Sequence, residues 1–198
     1  KVRYLNNWVD YLIIRYPEQA TIEKIAKLAE FSVVNAMSKK FHPCELLSDL
    51  FTLYELKGNL SNLRLVFVGE GANIANSWFN AAGVVDLNLT QVCPSGFEVK
   101  DEIFNFAVEN SQGEVKRTND LQEGIRGADV ILTDAWPPHG YKTHEKFSNY
   151  HIYLIKVRNS VIDNDKVKSL IQLYICFKIN PFYLSIRMFF FKNLYHFW

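Results

Sequence analysis

The run at 63–69, LRLVFVG, passes straight into EGANIANSWFNAAG, and this junction constrains the fold more than any other stretch. An apolar run with one charge, closed by glycine, is the pattern of a strand buried on both faces, as in a parallel sheet. The glycine turn and the helical spacing behind it complete a strand-turn-helix unit of the α/β kind. The same alternation extends to either side. Strands are predicted at 11–15, 31–36, 86–92, 114–118 and 128–133, and helices at 18–30, 42–58, 100–110 and 121–126. Strands alternating with helices predict a doubly wound parallel sheet, an α/β fold of Rossmann-like class.

A chain of 198 residues holds one medium domain, or one domain and part of another. Its 22 basic and 21 acidic residues leave a net charge of +1, which gives no electrostatic case for nucleic acid or a membrane surface as partner. Cys44, Cys93 and Cys176 are odd in number and widely spaced. No zinc-type pair is present among them, so no metal or other cofactor is expected, and the thiols read as reduced and cytoplasmic.

In doubly wound sheets ligands sit beyond the carboxyl ends of the strands. That rule nominates Arg15, the segment 69–73 and the segment 134–140 as rim positions. His42 joins them from a different argument. It precedes Pro43, a residue suited to a first helical turn, so the imidazole stands at a helix N-terminus that favours anions. The bland alternative is a surface histidine ahead of a proline-started helix. For the GEGAN turn the alternatives are close approach of a ligand or a tight turn that needs glycine. Its opening fits a dinucleotide fingerprint, but Asn76 and Ser77 occupy the region of the third glycine. Asn73 caps the following helix or binds a substrate; Asp134, at a strand end, holds an amino group or serves the loop.

Three motifs in order carry a resemblance to a family. They are His42-Pro43-Cys44-Glu45, Gly69-Glu70-Gly71-Ala72-Asn73 after a buried strand, and ADVILTDAW at 128–136. Together they resemble the HPxQ, GDGNN and TDxWxSMG elements of the aspartate/ornithine carbamoyltransferases, and 9–36 is similar to the end of that family's carbamoyl-phosphate domain. The resemblance implies transfer of a carbamoyl group from carbamoyl phosphate to an amine of an amino acid. It implies His42 polarising the carbonyl oxygen, Arg15 assisting there and towards the phosphate, and Glu45 at the carbamoyl NH2 group. It implies amino-acid binding by Asn73, Asp134, His139 and Gly140, and a cytoplasmic homotrimer. The reaction needs no covalent nucleophile, so positioned donors would carry the rate.

The same comparison marks departures. Glu45 stands where the family has Gln, and Pro137, Pro138 and His139 alter the third motif. These changes predict a variant branch with an amine other than ornithine, or a non-catalytic binding module of the same fold. The expected organisation is the end of the carbamoyl-phosphate domain at 1–41, an inter-domain helix at 42–58, an amino-acid-binding domain at 59–165 and an atypical aromatic tail at 166–198. The tail is poor in Gly, Ala and acids; a core helix is expected in its first half, and INPFYLSIR resembles a late substrate loop. Because the chain opens without Met and changes character there, its ends read as those of an incomplete or frame-shifted product.

Overall fold

Continuous burial along the central strands explains the architecture. The computed structural model describes residues 2–134, 170–179 and 182–190. The elements run α1 (Val2–Leu5), β1 (Tyr11–Arg15), α2 (Gln19–Leu28), β2 (Ser32–Met37), α3 (Pro43–Lys57), β3 (Arg64–Val68), α4 (Asn73–Ala82), β4 (Asn88–Val92), α5 (Asp101–Asn110), β5 (Val115–Thr118), α6 (Leu121–Gly124), β6 (Val130–Thr133), β7 (Leu170–Ile179) and β8 (Phe182–Phe190). β1 and β2 form a two-stranded parallel sheet. The other six strands form one sheet in the order β5-β4-β3-β6-β7-β8. Pairing is parallel from β5 through β7, and β8 returns antiparallel along β7.

From β3 the chain builds outward to β4 and β5, then crosses back to place β6 on the other flank. The order therefore reverses between β3 and β6, and the crevice for a ligand lies beyond their carboxyl ends. Successive residues of β3 face opposite sides of the sheet. Leu65 and Phe67 join Leu89, Val130 and Leu132 under α4, with Trp78 and Phe79 fully buried. Val66 and Val68 face the other way, with Val92, Leu121, Ile125 and Ile131. Burial on both faces is what the continuous apolar run demands.

α3 joins the two sheets. Pro43 opens it, Gly58 closes it in the left-handed region at φ 72°, and Leu46 and Leu53 are its buried apolar residues. It packs against both β2 and α4. Among the described residues, no helix is long and apolar enough to cross a membrane.

Two expectations for the end of the chain are corrected. The stretch read as a core helix is strand β7, and the stretch read as a substrate loop is strand β8. Apolar runs without clear periodicity fit a buried helix or a strand equally, and here lateral pairing with β6 decides for the strand.

Candidate active site

Each proposed residue of the first cluster sits where a strand or helix ends. β2 finishes at Met37, and 38–41 turns sharply before α3. Ser38, fully buried, makes that turn: its hydroxyl accepts from the Lys40 and Phe41 N–H groups and donates to Gln19 Oε1 at 2.7 Å. His42 follows as the N-cap of α3. Its backbone N–H donates to Ser77 Oγ at 2.7 Å.

One turn into α3, Glu45 reaches back to His42, with Nε2 and Oε2 3.1 Å apart and the two side chains 19% and 17% exposed. A carboxylate can only accept, so the pairing keeps the imidazole proton on Nε2. The positive end of α3 thus faces an acid of its own first turn, an arrangement that the helix dipole favours.

Asn73 opens α4 as its first residue rather than as its cap; Ala72 holds the cap position without a side-chain bond. The Asn73 amide donates to the Ser38 carbonyl at 3.1 Å and its oxygen accepts from the Ile74 N–H. Ser77 Oγ in turn donates to the Asn73 carbonyl at 2.7 Å. His42, Glu45 and Asn73 therefore belong to one hydrogen-bonded cluster where α3 and α4 begin.

A second group lies at the reversal of strand order. Burial, and then the Asp134 carboxylate, hold the Glu70 carboxyl above its ordinary pKa. Glu70 Oε2 is buried without a hydrogen-bond partner among the described residues. Two carboxyl groups beside each other at the mouth of β3 and β6 make a locus that a protonated amine would neutralise. Its place at a strand end, and the family resemblance, pointed to Asp134. The signal for Glu70 was its place between two glycines at the end of a buried strand.

Arg15 is exposed at the carboxyl end of β1, where the ladder shifts register, and among the described residues it forms no ion pair with Glu45. His139 and Gly140 lie outside the described residues. The GEGAN turn resolves in favour of close packing. A Cβ on Gly71 would stand 2.4 Å from the Val99 nitrogen and 2.5 Å from the Glu98 oxygen. The backbone of 97–99 is thus laid over the turn, tied down by Gln91, which donates to the Gly69 carbonyl and accepts from the Val99 N–H, each at 2.9 Å. Protein backbone fills the approach that a dinucleotide would need.

Residues 61–183 match the family description "Aspartate/ornithine carbamoyltransferase, Asp/Orn binding domain", and residues 1–55 match the carbamoyl-P binding domain of the same family. The chain belongs to the aspartate/ornithine carbamoyltransferase family. Within it, ornithine carbamoyltransferase of Geobacter sulfurreducens is 33% identical over 144 residues, covering 73% of this chain and 48% of that protein. The Aquifex aeolicus enzyme of the same name is 36% identical over 156 residues, 76% of this chain and 51% of its own. This carbamoyltransferase-family chain spans about half the length of the curated relatives it matches. Among solved structures, ornithine carbamoyltransferase from Pyrococcus furiosus superposes with a TM-score of 0.72 at 26% identity, covering 87% of this chain and 56% of the other. The anabolic enzyme from Campylobacter jejuni gives 0.73 at 26% identity, with 87% and 59% covered.

Proposed function

We propose that this chain contributes the inter-domain helix and the amino-acid-binding domain of an enzyme that moves a carbamoyl group from carbamoyl phosphate to an amino-acid amine. The observation that carries the reading is the cluster in which His42, Glu45 and Asn73 converge where α3 and α4 begin. In this reading the His42 imidazole donates to the carbonyl oxygen as negative charge grows there, and Glu45 accepts from the carbamoyl NH2 group. Arg15 serves the leaving phosphate. Asn73 holds the amino acid, and Asp134, with His139 and Gly140, receives its amine. Fixed donors at the site of developing charge supply most of the acceleration in such reactions.

In the same reading 1–41 closes the carbamoyl-phosphate domain, 42–58 is the inter-domain helix and the amino-acid-binding domain starts at 59; the domain matches end at 55 and begin at 61, which favours a division near the end of α3. The same reading includes a cytoplasmic homotrimer. Both domain descriptions name substrates of the class proposed, carbamoyl phosphate and aspartate or ornithine. Glu45 in place of the family's Gln, and the Pro137-Pro138-His139 segment, favour an amine other than ornithine. Phosphate release from carbamoyl phosphate, measured with a panel of amino-acid amines that includes ornithine, tests the reading. Release that depends on one amine is expected. A full-length protein that turns over none of them is not a carbamoyltransferase.

One observation favours the second reading, a binding module without turnover. The His42 Nε2 that would serve the substrate is engaged by the chain's own Glu45. Under that reading Glu45→Gln would create amine-dependent phosphate release where the parent protein shows none.

A further inference from the structure

On α4, Asn73, Asn76 and Ser77 are spaced i, i+3 and i+4 and so share one helical face. All three touch the segment 38–42, and all three touch its main chain. Asn73 donates to the Ser38 carbonyl at 3.1 Å, Asn76 donates to the Lys40 carbonyl at 3.0 Å, and Ser77 accepts from the His42 N–H at 2.7 Å. Asn76 and Ser77 are 7% and 2% exposed, so water does not compete for these bonds. Ser77 is itself held, since its hydroxyl proton goes to the Asn73 carbonyl at 2.7 Å. From the other side Ser38, with Gln19 behind it, fixes the turn from within.

We propose that Asn76 and Ser77 are positioning residues for His42, gripping the main chain of 38–42 from α4 and so fixing where the imidazole stands. The Ser77 bond is made to the histidine's own backbone nitrogen, one residue before α3 begins. The Asn76 bond is made two residues earlier, so the segment is held from α4 at two points. The grip crosses from the Rossmann-like unit to the segment that carries the histidine. The proposal rests on the reading of His42 as the group that polarises the substrate, and a misplacement of about 1 Å in such a group can cost on the order of a hundredfold in rate.

The test uses the protein at its full natural length with Ser77→Ala and Asn76→Ala, beside Ile125→Val as a control in the core on the opposite sheet face. Three quantities are read: exchange of the His42 backbone amide, the imidazole nitrogen-proton NMR signals of His42, and kcat with KM for phosphate release. Ser77→Ala is expected to speed amide exchange at His42 about tenfold or more, because the bond that protects it is gone. Both variants are expected to shift the imidazole signals and to lower kcat about tenfold with KM little changed, while Ile125→Val alters none of these. Imidazole signals that coincide with wild type in a folded Ser77→Ala or Asn76→Ala protein overturn the proposal, and so does an unchanged kcat. If the parent protein shows no turnover, the catalytic reading falls by itself, and the exchange and imidazole measurements alone decide on the grip.

Discussion

Glu70 carries the clearest electrostatic consequence of any single residue. Burial and the neighbouring Asp134 raise its pKa above 4.5, so the folded protein binds this proton more tightly than the unfolded chain does. Stability from such a group is fully present below the unfolded pKa and is lost as pH rises through the folded one. At neutral pH the Glu70 carboxylate therefore destabilises the fold. Glu70→Gln keeps the shape and removes the charge. Its melting temperature should exceed wild type at about pH 7, with the difference vanishing below about pH 4. Calorimetry across that range checks the point; a constant offset at every pH would contradict it. Cys93 is governed by the same physics: burial first, then Glu98, pushes its thiol up to about 12. Sequence alone nominates His42, because a histidine ahead of a proline-started helix is a local signal. Glu45 enters through the family resemblance, and Asn73 stands open between helix cap and ligand contact, of which the structure excludes the cap. No such signal marks Asn76 and Ser77, whose partners are main-chain carbonyl and N–H groups brought close only by packing.

At the scale of elements, the β3-to-α4 turn shows how glycine serves contact between two backbones. The segment 97–99 lies so near Gly71 that a methyl group would stand 2.4 Å from the Val99 nitrogen. Gly71→Ala must displace either the turn or that segment, and a loss of about 1–3 kcal/mol is expected, typical of overpacking. The midpoint of urea unfolding measures it, and a midpoint equal to wild type would show that 97–99 moves freely. Elements with helical spacing, or apolar runs bounded by turn residues, were legible from the sequence: α2 to α6, and every strand from β1 to β6. β7 and β8 were not, because their aromatic runs carry no period that separates strand from helix. α1 is a four-residue helix, too short for any period to register.

At the scale of the whole molecule, the two sheets differ in support. Strands β3, β4 and β6 carry a core on each face of their sheet, whereas among the described residues β1 and β2 pair only with one another. Tyr11, Ile13 and Val34 of that small sheet are 65%, 62% and 40% exposed. A two-stranded sheet is marginal by itself. Amides in β1 and β2 should exchange about a hundredfold or more faster than those in β3 and β4, read by mass spectrometry on the native chain. Equal protection in both sheets would mean that the molecule opens only as one unit.

The face of α4 that meets 38–42 binds carbonyl oxygens and an N–H, groups common to almost every amino acid. Such a grip does not read the side chains it holds. Lys39 can therefore be exchanged for other residues with the backbone path to His42 preserved, as long as proline is avoided, since its N–H donates to the Pro17 carbonyl. Substitutions can accumulate along that stretch, changing charge and shape beside the histidine, while the histidine keeps its address.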